Sequence, residues 1–259
     1  MKIGLIGDGA IAHYVDEKLR AHGLRADTRL LREVRRDRLG SDQFVVSRVA
    51  DLPHDLDLMV DCAGHAALAQ HGPAILSRGV DLVTVSLGAL ADQALDRELR
   101  SAAQRGKARL YLASGAIGAL DCLRAARIGG LSRVTYTGRK PPSGWKGSPA
   151  EDRLDLSSLQ DAATHFEGTA RLAATEYPKN ANVAAAVALA GLGFDDTRVR
   201  LVADPAVTAN IHEIQAEGAF GSFSFRIEGK ALPDNPRSSA LAAMSVVASI
   251  LQQRDSIVI

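Results

Sequence analysis

Three positions near the start of the chain could cradle a phosphate. Gly7, Gly9 and Ala12 stand at G-x-G-x-x-A spacing in Lys-Ile-Gly-Leu-Ile-Gly-Asp-Gly-Ala-Ile-Ala, residues 2–12. A nucleotide pyrophosphate asks for that pattern between a strand and a helix. Gly7 allows the tight turn, and Gly9 lets the backbone approach the anion. Ala12 lets the helix pack on the strand, while the N–H groups at Ala10 and Ile11 face the phosphates. The same glycines could also make a plain turn in another α/β protein. Their place, after the apolar run Ile3–Ile6 and before an amphipathic stretch, favours dinucleotide binding.

The most suggestive titratable residue is His212, in D-P-A-V-T-A-N-I-H-E-I. Strand alternation puts it on one face with Asn210 and Ile214, and Ile211 and Glu213 on the other. An imidazole titrates near neutrality, so His212 can give or take a proton during a reaction. A lone histidine is also often structural. His65 follows Cys62-Ala63-Gly64 at the carboxyl end of an expected parallel strand, where such sheets bind ligands. In Y-P-K-N-A-N-V, residues 177–183, Asn180 and Asn182 bracket a helix start. They either cap that helix or offer amide groups to a nicotinamide or a carboxylate. Lys179, Lys140 and Arg139 are cationic candidates for a carboxylate. Trp145 reads as packing.

NAD and NADP are told apart where the second strand ends, by an acidic group or an arginine beside the ribose. That region reads T-R-L-L-R-E-V-R-R, with Arg32 and Glu33 near the strand end and Arg35 and Arg36 close by. Either cofactor is compatible, and the arginines favour acceptance of NADP.

Alternating elements must hold these groups. Strands are expected at 2–6, 26–31, 44–48, 57–62, 80–86 and 109–113, with helices at 10–22, 65–78 and 92–106. This implies a doubly wound parallel sheet of Rossmann type. After Ser114 the pattern turns mixed. Strands are expected at 133–137 and 198–203, and a hairpin pairs 208–217 with 222–228 through Gly218-Ala219-Phe220-Gly221. Helices are expected at 166–175, 182–191 and 238–253, and a Pro- and Gly-rich loop at 138–149. The domains are therefore a dinucleotide-binding unit at 1–113, completed by the terminal helix within 236–259, and a mixed α/β unit at 114–235.

Composition limits the partners. The 259 residues carry 31 basic and 30 acidic side chains, a net charge of +1. No global basic field argues for nucleic acid or an anionic membrane surface, and no apolar run reaches the roughly 18–20 residues of a span. A start directly on a core strand leaves no room for a signal peptide. Cys62 and Cys122 match no metal or disulfide spacing and read as buried free thiols. The expectation is a cytoplasmic protein without a metal.

The series G-D-G-A-I-A, D-C-A-G-H, V-S-L-G-A-L-A-D, S-G-A-I-G-A-L-D, R-K-P-P, F-E-G-T-A-R-L-A-A, Y-P-K-N-A-N-V-A-A, A-D-P-A-V-T-A-N-I-H and N-P-R-S-S resembles the L-aspartate dehydrogenase family in order along nearly the whole chain. The resemblance implies a Rossmann domain with an α/β domain similar to that of dihydrodipicolinate reductase. It implies NAD- or NADP-dependent oxidation of L-aspartate to iminoaspartate, which yields oxaloacetate and ammonia or feeds quinolinate and NAD synthesis. It sets His212 at the family's active-site histidine and Ala116 and Asn182 at cofactor contacts, and it implies a homodimer. Two other readings fit less of the sequence. One is a related imine or amino-acid oxidoreductase of the dihydrodipicolinate reductase type, and the other is a non-catalytic NAD(P)-sensing protein.

Overall fold

The computed structural model describes residues 1–32, 43–232 and 235–257. The chain divides into two compact units, Met1–Ala113 with Ala242–Ile259, and Ser114–Leu241.

The first unit is built on β1 (Ile3–Ile6), β2 (Ala26–Leu30), β3 (Phe44–Val46), β4 (Leu58–Asp61), β5 (Asp81–Thr84) and β6 (Leu110–Leu112), with α1 (Ala10–Ala21), α2 (His65–Ser77) and α3 (Gln93–Gly106) between strands. All neighbours pair in parallel in the order β3-β2-β1-β4-β5-β6. Both sheet faces are covered, so the central strands are near-continuous apolar runs. Ile3, Leu5, Leu58, Val60 and Val83 share a core with Ala12, Val15 and Leu19 of α1. Those three recur at helical spacing, so one stripe of α1 faces the sheet. Leu82 points to the opposite face, where Gly72 of α2 and Leu99 of α3 meet it. Asp92 caps α3 by accepting from the N–H groups of Ala94 (2.8 Å) and Leu95 (3.3 Å).

The second unit contains α4 (Leu120–Gly129), β7 (Leu131–Lys140), β8 (Ala163–Thr169), α5 (Ala170–Glu176), α6 (Asn182–Ala190), β9 (Arg198–Ala203), β10 (Asn210–Gly218), β11 (Gly221–Gly229), and the short pair β12 (Ala231–Leu232) and β13 (Asn235–Ser239). The terminal helix α7 spans Ala240–Gln252, and its Val246, Val247 and Ile250 join the core of the first unit. The five-stranded sheet has the order β11-β10-β7-β9-β8, with β7 and β9 parallel and the other pairs antiparallel. Helix α6 is buried along nearly its whole length and packs against α4 and α5. Ile214 and Ala216 of β10 are buried, whereas Gln215 between them is exposed.

Several expectations change. Residues 166–175 are not one helix: β8 runs to Thr169, and α5 begins where the Thr169 hydroxyl accepts from Leu172 N–H at 3.2 Å. A register shift between Thr164 and Phe166 hides the strand, because it leaves His165 and Phe166 both buried and breaks the alternation. Residues 138–140 are not loop but the end of β7, and Pro142–Trp145 form a 3-10 turn. α4 is an element the sequence reading did not assign. The strand expected from Thr208 begins at Asn210, and Gly218 pairs directly with Gly221, leaving a two-residue turn. The terminal helix starts at Ala240 because 235–239 form a strand. Cys122, in the first turn of α4, is exposed, not buried, and Cys62 is half-buried. Trp145 is packing, as expected: it is buried and its indole N–H donates to the Val202 carbonyl at 3.0 Å.

Candidate active site

In the first unit the glycine turn sits at the carboxyl end of β1. Gly7 has φ +94°, and a Cβ there would lie 2.9 Å from the Ala63 Cβ, so the turn and the end of β4 touch. Gly9 is the N-cap of α1 and brings no side-chain acceptor to the first helical turn. A Cβ built on Gly9 meets nothing within 4 Å. Open space, uncapped N–H groups at Ala10 and Ile11 and the positive end of a helix fit a dinucleotide pyrophosphate. Arg32 is exposed just past β2. Glu33, Arg35 and Arg36 lie outside the described residues.

Two polar residues that the sequence reading missed brace this end of the sheet. Asp61, fully buried at the end of β4, accepts from Ala63 N–H (3.0 Å), Gly64 N–H (3.3 Å), the Thr84 hydroxyl (2.8 Å) and the Ser86 hydroxyl (2.6 Å). It thereby shapes the Ala63-Gly64 turn, where Gly64 takes φ +96° and starts α2 at His65. Arg29, buried on β2, donates to the Gly7 carbonyl at 3.3 Å and pairs with Asp16 of α1 at 3.3 Å. The available signal was an ionic residue within or at the end of each central strand.

In the second unit His212 is buried on β10 and pairs across the strands with Gly138 of β7. Its Nδ1 lies 2.8 Å from the Tyr136 hydroxyl, and the two rings are nearly parallel. Burial, followed by the charge of Lys140, holds the imidazole down to about pKa 4. Among the described residues its Nε2 has no hydrogen-bond partner. Burial likewise raises the Tyr136 phenol, which stays protonated.

Lys140, two residues beyond Gly138, donates to Asn180 Oδ1, and its Nζ stands 4.8 Å over the Trp145 ring. Asn180 closes the short 3-10 turn Pro178–Asn180, which also contains Lys179, and Asn182 is the first residue of α6. Lys140 thus ties the asparagine segment to the strand that supports His212. Ala116 is nearly buried in the turn before α4, next to Gly115 with φ +73°.

A second histidine–tyrosine pair escaped the sequence reading. His165 Nδ1 lies 3.0 Å from the Tyr177 hydroxyl, and Trp145 packs edge-on against the imidazole. Burial, Arg153 and Lys140 lower His165 to about pKa 4. Its Nε2 is sealed and unpartnered, which makes His165 a core group. Two concavities, of about 560 Å³ beside residues 146–157 and about 500 Å³ on the polar sheet face, are lined by neither His212 nor Tyr136. Among the described residues no group of three His, Cys, Asp or Glu could hold a metal.

Residues 121–253 match the family model described as aspartate dehydrogenase, C-terminal. The chain belongs to the aspartate dehydrogenase family. Residues 4–113 match the homoserine dehydrogenase NAD binding domain, in keeping with the glycine turn. The L-aspartate dehydrogenase of Ruegeria pomeroyi is 56% identical over 255 residues, covering 98% of this chain and 92% of the relative. That of Ralstonia nicotianae is 46% identical, covering 96% of each. The crystal structure of aspartate dehydrogenase from Thermotoga maritima superposes with a TM-score of 0.78 at 27% identity, covering 100% of this chain and 99% of the other. An archaeal homoserine dehydrogenase in complex with NADPH shares the fold at a TM-score of 0.61 and 11% identity.

Proposed function

We propose that the chain oxidises L-aspartate to iminoaspartate with NAD or NADP, the imine then hydrolysing to oxaloacetate and ammonia or serving quinolinate synthesis. The observation that carries this reading is the buried His212–Tyr136 pair in a chain of the aspartate dehydrogenase family. A bound nicotinamide dinucleotide supplies the acceptor for the hydride that leaves the aspartate Cα.

In this reading Gly7, Gly9, Ala10, Ile11, Ala63 and Gly64 hold the dinucleotide, with Arg32 beside its ribose and Ala116 and Asn182 as further contacts. His65, Lys179 and Asn180 contact the substrate. His212 is the catalytic residue. Its low basicity leaves the imidazole neutral at pH 7, so it starts as a proton acceptor. With Nδ1–H donating to Tyr136 Oη, the Nε2 lone pair is turned out to take a proton from the substrate ammonium. Once that proton has been released to solvent, the neutral Nε2 can take another from the water that attacks the imine. The same Nδ1–H bond persists in the imidazolium, so proton transfer at Nε2 needs no rearrangement of the pair. The two substrate carboxylates bring negative charge, which raises the imidazole's basicity when the site is filled.

The first unit serves as the dinucleotide domain, and the second as the substrate and dimer domain of a cytoplasmic homodimer. No helix among the described residues is long and apolar enough to cross a membrane. Light scattering tests the dimer. The activity is tested by following reduction of NAD and of NADP with L-aspartate. Reduction with either supports the reading, and cofactor binding without aspartate-dependent reduction contradicts it.

A further inference from the structure

We propose that the Lys140 ammonium seats a carboxylate of the substrate, an inference that rests on the dicarboxylic amino acid reading above. Strand geometry supplies the placement. His212 pairs in register with Gly138, so Lys140 follows on the same face of the sheet, roughly 7 Å further along β7. The ammonium therefore belongs to the His212 side, together with Tyr136.

The surroundings of Nζ are incomplete for a cation. Its hydrogen-bond partner is a neutral amide oxygen, Asn180 Oδ1, and its other neighbour is the face of Trp145. The carboxylate just past the end of the neighbouring strand, Asp204, whose N–H donates to the Lys140 carbonyl at 2.9 Å, is taken by Arg139 at 2.6 Å. No carboxylate among the described residues forms an ion pair with Lys140. Burial alone lowers it, to about pKa 8. An ammonium held in a half-buried aromatic recess without a counter-ion is costly, and an arriving carboxylate supplies the missing partner. An ammonium has three donors, so a carboxylate can be accepted without giving up Asn180. The Asn180 bond and the Trp145 face fix the direction from which the anion arrives. The positive charge also offsets the substrate's negative charge beside His212, whose basicity Lys140 lowers. Lys140 thus joins selection of an anionic substrate to the state of the proton acceptor.

Trp145 is the single tryptophan of the chain, so its emission reports on the ammonium above it. Succinate, an unreactive dicarboxylate, is titrated into NAD-saturated protein with excitation of Trp145. The wild type is expected to show a saturable change. In Lys140→Gln, which keeps a donor for Asn180 but no charge, succinate affinity and 1/KM for L-aspartate should fall about 10- to 100-fold, with NAD affinity unchanged. Lys140→Arg should recover most of the loss. Lys140→Met carries the same test if the glutamine variant does not fold. Wild-type succinate affinity in the neutral variants overturns the proposal, as does a loss of NAD affinity in place of succinate affinity. A wild type that never oxidises L-aspartate defeats the aspartate reading, while the succinate titration still decides for or against Lys140.

Discussion

Tyr136 and His212 stand on adjacent antiparallel strands with the phenol oxygen 2.8 Å from Nδ1, both side chains almost wholly buried. Gly138 makes room for the pair: a Cβ there would lie 2.7 Å from the Tyr136 hydroxyl. In the proposed mechanism Tyr136 is therefore a positioning residue that acts through His212. Tyr136→Phe leaves Nδ1 without its partner and allows the imidazole to change tautomer. One neutral hydrogen bond lost from the transition state corresponds to about a tenfold fall in kcat. Gly138→Ala should reproduce that fall by pushing the phenol aside. Steady-state kinetics of both variants, with NAD affinity measured alongside, check this. Unaltered kcat in both would remove Tyr136 from the mechanism.

The glycine turn separates binding from folding. Gly7→Ala puts a methyl at φ +94° and against Ala63, so Tm should fall by several degrees. Gly9→Ala meets no protein atom but puts a poor N-cap residue before α1, so Tm should fall by less than in Gly7→Ala. In the proposed site its methyl lies on the approach of the pyrophosphate, so NAD affinity should drop about tenfold or more. Paired thermal melts and NAD titrations of the two variants test the contrast.

His165 and His212 make stability depend on pH. Both are neutral in the fold, lowered to about pKa 4 from an ordinary value near 6.5 chiefly by burial. Between those values the unfolded chain binds more protons than the folded one, so stability rises with pH. Their contribution is fully present above about pH 6.5 and is lost as pH falls toward 4. Thermal melts at pH 7.5 and 4.5 should show a lower Tm at the acid end. His165→Phe should reduce the difference, because one of the imidazoles that burial holds neutral is then gone.

The two units were not equally legible in the sequence. Strands such as Ile3–Ile6 and Leu58–Asp61 are buried on both faces, so each is a largely apolar run leading into a small-residue turn, Gly7 or Ala63-Gly64. In the second unit, apolar residues at Phe166, Ala170, Ala173 and Ala174 imitate helical spacing although the first belongs to a strand. The irregularity beside His165 removes the alternation that marks a strand. His212 could be singled out by its chemistry and setting. Its partner Tyr136 lies 76 residues away, and only the pairing of β7 with β10 brings them together. Asp61 and Arg29 sat in plain view, but a charge on a central strand has no partner until the fold supplies one.

The most direct measurement compares wild type with His212→Ala in L-aspartate-dependent reduction of NAD(P), with cofactor affinity determined on the same samples. A proton acceptor of this kind is expected to be worth about 10²- to 10⁴-fold in kcat, with cofactor affinity changed less than about twofold. Wild-type turnover by His212→Ala would contradict the assignment of the proton-transfer role to this imidazole.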